Sequence, residues 1–352
     1  MNAERKRRVL VVDDSALVRQ VLSSILSRHP LLEVIGTAKD PYDARERIKE
    51  LDPDVLTLDV EMPRMDGLTF LGKLMKAHPM PAVMLSSLTA KGTATALDAL
   101  DLGAVDVIGK PAMDQAAGLE AMGSEIAETV YAASLARIAG RRAPAPAPRA
   151  PLAPLALRAR TGRALIAIGS STGGTEALRQ IFEAIPENLP PIAVVQHMLP
   201  GFTAAFAERL DRSCRARVKV AEDGEALKPG TVYLAPNEAH LAVGRHSVGL
   251  VAMLEVGDRV SRHLPSVDVL FHSAAEACGP HALGVILTGM GDDGARGLLQ
   301  MRQKGARTLG QDEATCVVYG MPRAAYLRGA VEEQAPLHTI AGRLVAWCQR
   351  EA

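Results

Sequence analysis

An alanine- and proline-rich stretch in the middle of the chain limits its fold more than any other feature. Residues 141–163 read RRAPAPAPRAPLAPLALRARTGR, in which alanines alternate with prolines. Because proline lacks the backbone N–H and has a fixed φ, this stretch can form neither a strand nor a regular helix. It is typical of an extended, semi-rigid linker, although its arginines would also suit docking to an acidic partner. The sequence therefore predicts two separately folded domains, one on each side.

Before the linker, apolar runs alternate with amphipathic segments. Runs of valine, isoleucine and leucine that are separated by helices predict a parallel sheet covered on both faces. Residues 1–125 are therefore predicted to form a five-stranded, doubly wound α/β domain of the flavodoxin-like type. Residues 126–163 would form a helical segment followed by the Ala/Pro-rich linker. The candidate strands are 9–14, 33–38, 54–60, 82–87 and 104–111, and helices are indicated at 15–26, 42–51 and 67–77.

Residues 164–352 show a second α/β pattern that is larger and less regular than the first. The predicted fold is again doubly wound, with a mainly parallel sheet. Candidate strands lie at 164–168, 191–197, 217–223, 231–236 and 282–289, and candidate helices at 202–213, 266–278 and 295–306.

Composition argues against several classes of protein. Forty basic and forty acidic residues cancel, so the chain has no overall charge that would attract nucleic acid. No apolar run approaches the roughly 20 residues of a membrane helix, and the N-terminus lacks the layout of a signal peptide. The four cysteines, Cys214, Cys278, Cys316 and Cys348, are far apart and fit free thiols in a reducing cytosol. We therefore expect a cytoplasmic protein.

Polar side chains occur where the predicted strands of the first domain end. They are Asp13 and Asp14 at the first strand, Asp59 at the third, Ser86 at the fourth and Lys110 at the fifth. Because the carboxyl ends of parallel strands share one edge of the sheet, these side chains should lie close together. Clustered carboxylates favour a bound cation, and their oxygen ligands suit Mg²⁺. The lysine beside them could neutralise phosphoryl oxygens.

At the start of the second domain, residues 169–174 read GSSTGG between a predicted strand and a predicted helix. Such a turn can cradle a phosphate or can expose a nucleophilic serine. The stretch matches G-x-S-x-G with Ser171 at its centre, and it does not match the dinucleotide fingerprint G-x-G-x-x-G. The next strand ends in His197 rather than in the acid that would hold a ribose. The sequence therefore favours a nucleophilic serine over a dehydrogenase.

A nucleophilic serine needs a base and an orienting acid. His197 ends the strand that follows, and the turn after the strand at 282–289 contains Asp292 and Asp293. Three strand ends would thus bring Ser171, His197 and Asp293 to one edge of the sheet. The order Ser…His…Asp differs from the Ser…Asp…His order of the α/β-hydrolases, so a different arrangement of the triad is indicated.

The first domain resembles the receiver domain of response regulators. The resemblance lies in VVDDS, LDVEMPRMDGL, MLSSL and GKP, and it covers residue 8 to about residue 125. It implies that Asp59 accepts a phosphoryl group from a histidine kinase. Val107 stands where the family often has an aromatic residue. The same motifs imply a Mg²⁺ site at Asp13, Asp14, Asp59 and the backbone of Glu61, and phosphoryl contacts at Ser86 and Lys110.

The second domain resembles the methylesterase domain of chemotaxis response regulators over about residues 164–345. GSSTGGTEAL, VVQHMLPGFT, SRHLPSVDVLFHS, GVILTGMGDDGA and CVVYGMPRAA stand in the family's order. The resemblance implies Ser171 as nucleophile, His197 as base, Asp293 as orienting acid and the backbone near Met290 in an oxyanion hole. The chain departs from the family's usual residues at Ser170, Leu199, Ser261 and Leu264.

Together the two resemblances imply a phosphorylation-activated hydrolase that acts in chemotaxis. It would demethylate glutamate methyl esters on chemoreceptors, release methanol and also deamidate receptor glutamines. The expected cofactor is Mg²⁺ in the receiver domain, with none in the esterase domain. Expected partners are the cytoplasmic helices of methyl-accepting chemoreceptors and a histidine kinase, without nucleic acid or membrane insertion, and the chain is expected to be monomeric. A dehydrogenase and a non-catalytic regulator remain the alternatives.

Overall fold

A computed structural model describes residues 5–87, 90–110, 115–138, 163–198, 201–247 and 249–350. The chain divides into two compact units, Met1–Ala143 and Pro144–Ala352. Residues 139–162, which hold nearly all of the predicted Ala/Pro-rich linker, lie outside the described residues, as does Leu199.

The first unit is built on a five-stranded parallel sheet. Its strands are β1 (Arg7–Val12), β2 (Leu32–Ala38), β3 (Val55–Asp59), β4 (Ala82–Ser87) and β5 (Asp106–Lys110). Its helices are α1 (Ala16–Ser27), α2 (Pro41–Leu51), α3 (Gly67–Ala77), α4 (Ala90–Asp101), α5 (Gln115–Ala121) and α6 (Gly123–Ser134). The strand order is β2-β1-β3-β4-β5, so the order reverses between β1 and β3. Flavodoxin-like folds bind their ligands at this reversal point.

Local sequence signals begin the helices of this unit. The side chains of Ser15, Asp40 and Asp66 accept hydrogen bonds from amides in the first turns of α1, α2 and α3. Each cap satisfies an amide that has no partner within its helix. The strands carry a different sequence signal. Because β3 is buried at every position, its sequence is a continuous, mainly apolar run rather than an alternation of apolar and polar residues.

The second unit combines a seven-stranded parallel sheet with an antiparallel hairpin. Its strands are β6 (Leu165–Ser170), β7 (Ile192–Gln196), β8 (Arg217–Val220), β9 (Thr231–Leu234), β10 (His240–His246), β11 (Gly249–Glu255), β12 (Ala282–Ile286), β13 (Arg307–Gln311) and β14 (Glu333–Ala335). Its helices are α7 (Gly174–Ala184), α8 (Thr203–Ser213), α9 (Val267–Cys278), α10 (Ala295–Gln303), α11 (Met321–Leu327) and α12 (Leu337–Arg350). The parallel order is β14-β13-β12-β6-β7-β9-β8, and β10 and β11 form the hairpin. β6 therefore lies between β7, which follows it in the chain, and β12, which comes much later in the chain.

Helix α9 packs directly against the end of β6. Val267, Phe271 and Ala274 are buried and recur at the helical spacing that forms one face. They belong to the same buried cluster as Leu165 and Ala167 of β6. Helix α9 and strand β6 pack closely, and this contact places the start of α9 beside the glycine-rich turn at residues 169–174.

The prediction of two doubly wound domains with mainly parallel sheets is confirmed. Each candidate strand of the sequence corresponds to an observed strand, with ends that differ by a few residues. The predicted strands do not include the two strands of the hairpin or the last two strands of the parallel sheet, β13 and β14, which read RTLGQ and EQA. Such short, polar segments carry little hydrophobic periodicity.

None of the helices in the described part of the chain is both long and apolar enough to span a bilayer. All four cysteines are free thiols.

Candidate functional site

In the first unit, the predicted acidic side chains and the lysine meet where the strand order reverses. Asp13 follows β1, Asp59 ends β3 and Lys110 ends β5. Lys110 Nζ lies 2.7 Å from Asp13 Oδ2 and 2.8 Å from Asp59 Oδ1, and all three side chains are buried. Ser86 of β4 is also buried, whereas Asp14 is exposed. The structure therefore brings the two acids and the lysine of the predicted site into direct contact.

Burial determines the charge balance of this group. Burial raises the pKa of Asp59 to about 6, although Lys110 acts in the opposite direction. Burial also raises the pKa of Asp13, again against the effect of Lys110. At Lys110 burial acts to lower the pKa, but the two carboxylates outweigh it and hold the pKa of the ammonium above its ordinary value. Two buried acids thus share one cation, and the group lacks positive charge.

The same carboxylates form a group that could hold a metal ion. Ligand oxygens of Asp13, Asp14 and Asp59 all lie within 4.8 Å of one another. Carboxylate oxygens suit a hard cation such as Mg²⁺, which would supply the positive charge that the group lacks. The amide of Glu61 donates to Asp59 Oδ1 at 3.4 Å, so the predicted backbone ligand lies beside the group. The residues present therefore fit Mg²⁺.

In the second unit, the three predicted catalytic residues follow three adjacent strands. Ser171 follows β6, His197 follows β7 and Asp293 lies in the loop after β12, with β6 between the other two strands. The amide of Ser171 donates to the carbonyl of Thr288 at 3.0 Å, and the amide of His197 donates to the carbonyl of Ser170 at 3.0 Å. These bonds extend the ladder beyond the strands, at the reversal point where doubly wound sheets bind ligands.

Glycines allow the three loops to approach one another. A Cβ on Gly289 would lie 2.7 Å from the Cβ of Ser171, and a Cβ on Gly174 would lie 2.1 Å from Gln196 Oε1. Gly173 has φ +76°, a left-handed conformation that residues with a side chain rarely adopt. The glycines of GSSTGG therefore serve a tight strand-to-helix turn, as an exposed serine nucleophile requires.

His197 and Asp293 are directly hydrogen-bonded, with 2.9 Å between His197 Nε2 and Asp293 Oδ2. The carboxylate also accepts from Ser266 Oγ at 2.8 Å and from the amides of Val267 and Asp268 at 2.8 and 2.9 Å. These residues begin α9, whose N-terminal end favours negative charge. Burial opposes the charge, but the hydrogen bonds from His197 and the helix outweigh it and hold the pKa of Asp293 below its ordinary value.

The other ring nitrogen of His197 is the candidate base. We assign the ring proton to Nε2, which faces the Asp293 carboxylate, and this leaves the lone pair on Nδ1. Nδ1 is buried and has no hydrogen-bond partner among the described residues, so the half-buried Ser171 is not bonded to it here. The usual serine triads present Nε2 to the serine and Nδ1 to the acid, so the ring is reversed in this site.

Ser170 differs from its neighbour Ser171. Its side chain is fully buried and donates to Gln196 Oε1 at 2.7 Å. Gln196 Nε2 in turn donates to the carbonyls of Ser171 and His197, each at 2.9 Å. The pair ties the ends of β6 and β7 together. Gln196 is not among the predicted site residues, although its position as the polar end of an apolar strand was a signal for it.

The loop after β12 contains the remaining predicted residues. Met290 occupies its glycine-flanked turn, and the amide of Met290 has no partner among the residues that the structure describes. The side chain of Asp292 is 51% exposed and lies 3.8 Å from Arg262 and 3.6 Å from Arg328. Of the two neighbouring acids, Asp293 is therefore the one that contacts the histidine.

His263 is a further residue that the sequence patterns did not select. Its imidazole stacks on that of His197, with 3.7 Å between ring centroids and 7° between ring planes. Burial, with His197 acting in the same direction, lowers the pKa of His263 to about 3. The ring is therefore neutral at physiological pH. The motif SRHLPSVD contains this residue, but nothing in the motif indicates a contact with His197.

Comparison with known proteins gives matches over both units. Residues 166–344 match the family model for the CheB methylesterase, and residues 9–121 match that for the response regulator receiver domain. The protein-glutamate methylesterase/protein-glutamine glutaminase of Bordetella bronchiseptica is 54% identical over 344 residues, which cover 97% of each chain. Protein-glutamate methylesterase/protein-glutamine glutaminase 1 of Xanthomonas campestris pv. campestris is 53% identical over 353 residues, which cover 98% of each chain. Among solved structures, the CheB methylesterase catalytic domain of Thermotoga maritima is 40% identical, with a TM-score of 0.51, and the match covers 52% of this chain and 98% of that one.

Proposed function

The chain belongs to the CheB methylesterase family, and we propose that it is a protein-glutamate methylesterase and protein-glutamine glutaminase whose activity rises when its receiver domain is phosphorylated. The observation that carries the proposal is the hydrogen-bonded pair of His197 and Asp293 beside Ser171, at the reversal point of a parallel sheet. Relatives that share more than half of its residues over nearly the whole length carry both activities in their names.

Ser171 is the proposed nucleophile. Its Oγ attacks the γ-carbonyl carbon of a glutamate methyl ester and transfers its proton to Nδ1 of His197. The tetrahedral intermediate then collapses, the bond between carbon and the methoxy oxygen breaks, and the proton on Nδ1 passes to that oxygen to give methanol. Asp293 remains ionised and stabilises the imidazolium, a role supported by its lowered pKa.

Water completes the cycle. It attacks the carbonyl carbon of the acyl-serine, gives a proton to His197, and the proton passes to Ser171 Oγ as the serine ester breaks. The product is a glutamate carboxylate on the receptor. A glutamine side chain reacts by the same steps with ammonia as the leaving group, which accounts for a glutaminase activity at the same site.

The amide of Met290 is the proposed donor to the oxyanion of both tetrahedral intermediates. Its lack of another partner among the described residues leaves it available, and the glycines on either side leave room for the substrate oxygen. A fixed backbone donor of this kind stabilises charge that develops only during the reaction.

Asp59 is the proposed phosphate acceptor. Its carboxylate oxygen attacks the phosphorus of a phosphohistidine on a histidine kinase, the P–N bond breaks, and an acyl phosphate forms. Lys110 would pair with the phosphoryl oxygens and Ser86 would contact them. This role is supported by the position of the Lys110 ammonium, which already contacts the acceptor carboxylate.

Mg²⁺ is the proposed cofactor of the receiver domain. Asp13, Asp14, Asp59 and the backbone of Glu61 would hold it. When bound, it would neutralise charge on the carboxylates and on the phosphoryl oxygens.

The proposed domain limits are 1–125 for the receiver, 126–163 for the linker and 164–352 for the esterase. The first limit falls within α6, which packs as part of the first unit. The proposed substrates are the cytoplasmic helices of methyl-accepting chemoreceptors, so the protein would act in the cytoplasm, and we propose that it does so as a monomer.

The test is methanol release from membranes that contain methylated chemoreceptors, with and without a small acyl phosphate as phosphodonor. We expect release by the full-length chain, faster release with the phosphodonor, and loss of that stimulation in Asp59→Asn. Ser171→Ala serves as the matched inactive control. Release that is equal in wild type and Ser171→Ala would contradict the esterase proposal, and stimulation that persists in Asp59→Asn would contradict the role of Asp59.

A further inference from the structure

The ring of His263 stacks on the ring of the candidate base, His197, but has no place in the mechanism above. The two imidazoles are nearly parallel, with their centroids 3.7 Å apart. That separation is van der Waals contact between the ring faces, so the His197 ring cannot tilt toward this side without displacing His263. The same ring of His197 is held at one edge by Asp293.

His263 is itself held in place by a tight turn. The amide of Val260 donates to the carbonyl of His263 at 3.0 Å, and the amide of His263 donates to the carbonyl of Val260 at 2.9 Å. The two residues between them, Ser261 and Arg262, have φ of +50° and +71°, a combination that two-residue turns between paired strands adopt. Neither residue is a glycine, so the surroundings must stabilise a conformation that is unfavourable for them.

Hydrogen bonds from Ser261 provide part of that support. Its Oγ donates to Asp268 Oδ2 at 2.8 Å and accepts from Arg296 Nη2 at 2.7 Å. Asp268 is buried in the first turn of α9 and also accepts from the amide of Gly297 at 2.8 Å. The turn that carries His263 is thereby fixed to the starts of α9 and α10.

The other end of the same segment reaches the triad acid. Ser266 donates to Asp293, and the amide of Ser266 donates to Nδ1 of the buried His240 at 3.0 Å. His240 Nε2 lies 3.0 Å from the carbonyl of Asp258, which precedes the turn. Residues 260–266 therefore contact both members of the hydrogen-bonded pair, one through a ring face and the other through a hydroxyl.

We propose that His263 is a positioning residue for the esterase reaction, whose ring holds the plane of His197 so that Nε2 stays on Asp293 while Nδ1 is presented to Ser171, and whose π face stabilises the positive charge that His197 acquires. This inference rests on the proposed esterase function. A second cation at 3.7 Å would oppose the imidazolium, and a neutral aromatic ring attracts it. The depressed pKa of His263 is consistent with that neutral role.

The test compares His263→Phe with His263→Leu in the full-length chain. Phenylalanine keeps a flat neutral ring, whereas leucine fills the space without a π face. We expect His263→Leu to lower kcat for methanol release at least about tenfold with KM changed less than about threefold, and His263→Phe to restore kcat to within about threefold of wild type. The control is His246→Ala on the exposed end of β10, which we expect to leave both constants unchanged.

Two kinetic results would overturn the proposal. One is a His263→Leu protein as active as wild type. The other is a folded His263→Phe protein as impaired as His263→Leu, because a flat neutral ring at this position would then not contribute to kcat. Circular dichroism of each variant establishes that it is folded before the rates are compared.

A second measurement separates this inference from the proposed function. ¹⁵N-histidine NMR of the full-length chain without substrate reports which nitrogen of His197 carries the proton. We expect one tautomer, protonated at Nε2, in wild type and His263→Phe, and averaged tautomers in His263→Leu. A single Nε2-protonated tautomer in His263→Leu would overturn the positioning role. A wild-type chain that shows the expected tautomer but releases no methanol would contradict the esterase function and leave the contact between the two rings established.

Discussion

Asp59 and Asp293 occupy equivalent places in the two units and differ in how their charge is balanced. Each is a buried acid at the reversal point of a parallel sheet. Asp293 accepts four hydrogen bonds, from a histidine, a serine and two amides at the start of α9, and its pKa is lowered. Asp59 has one lysine, which it shares with Asp13, and one long bond from an amide. Burial then raises its pKa to about 6.

This difference separates two uses of a buried acid. A carboxylate whose hydrogen bonds are complete has little to gain from a new partner, so it keeps its charge and its position while other groups react. A carboxylate that lacks positive charge is stabilised by a bound cation. The same cation and the lysine would also face the phosphoryl oxygens, which carry more negative charge than the carboxylate that they replace. The first suits an orienting acid, and the second suits a phosphate acceptor.

The largest expected effect comes from removing the nucleophile, which should abolish catalysis in one unit and leave phosphorylation of the other unchanged. Ser171→Ala should lower the rate of methanol release by about 10⁴-fold or more, because no other group in the proposed mechanism forms the acyl-enzyme. Phosphorylation of Asp59 by a phosphodonor should remain at the wild-type level. Methanol release and incorporation of labelled phosphate, measured on one preparation, check both halves. Loss of phosphate incorporation would show that the two sites are not chemically independent.

Removal of the balanced carboxylate should damage both activity and stability. Asp293→Ala should lower the rate of methanol release by about 10³-fold or more, and the free energy of unfolding by about 3 kcal/mol, since it leaves buried donors without partners. Denaturation followed by the fluorescence of Trp347, the single tryptophan of the chain, reports on this unit.

Asp292→Ala is the matched control for that variant, because its carboxylate is half-exposed and does not contact the histidine. We expect it to unfold like wild type. If Asp293→Ala and Asp292→Ala lower the free energy of unfolding by the same amount, the hydrogen bonds of Asp293 do not stabilise the fold by about 3 kcal/mol.

Removal of the Asp59 carboxylate, which lacks positive charge around it, should stabilise its unit, whereas removal of the Asp293 carboxylate should destabilise its unit. Asp59→Asn should raise the free energy of unfolding of the receiver by about 1–3 kcal/mol above pH 6 in the presence of a chelator. The folded-state pKa of about 6 lies above the ordinary value of 3.8, so the wild-type receiver loses stability as pH rises from about 4 to 6. The advantage of the variant should therefore grow over that window and vanish below pH 4.

Amide hydrogen exchange of β1 and β3 in the full-length chain measures this effect separately from the other unit. Glu50→Gln, on the exposed surface of α2, is the control for a charge removed without burial. A receiver that Asp59→Asn destabilises at pH 7.5 would contradict the charge balance described for Asp13, Asp59 and Lys110.

The smallest effect is expected at the serine beside the nucleophile. Ser170→Ala removes one buried hydrogen bond, that to Gln196, and should lower the free energy of unfolding by about 1 kcal/mol while the rate of methanol release stays within about threefold of wild type. Side-by-side rates for Ser170→Ala and Ser171→Ala check the assignment. Equal losses in the two variants would show that the centre of G-x-S-x-G does not identify the nucleophile.

The sequence predicted the fold and the positions of the candidate residues because both depend on the same pattern. A buried parallel strand reads as a continuous apolar run, and the first polar residue after it lies at the edge of the sheet where ligands bind. Asp59 after VLTL follows this rule directly. In β6 the rule alone would select the buried Ser170, and Ser171 is selected instead because it is the centre of G-x-S-x-G.

The sequence could not predict contacts that depend on how loops pack. The reversed ring of His197, the stack with His263 and the bonds from α9 to Asp293 join residues that are distant in the chain. No periodicity relates such residues, so only the folded structure brings them together. The hairpin of β10 and β11 was also missed. The apolar part of β10 is only the three residues LAV, which is too short to indicate a strand, whereas β11 contains the apolar run LVAML and could have been predicted.

The strand order of the second unit also determines when a new chain becomes an enzyme. His197 leaves the ribosome 96 residues before Asp293, and β6 lacks one of its two neighbours until β12 has been made. Domains at the N-terminus fold first during synthesis, and pairing between strands far apart in the chain forms late. A growing chain therefore completes its phosphate-accepting half long before the serine and histidine acquire their carboxylate, and it is able to receive the signal before it is able to hydrolyse an ester.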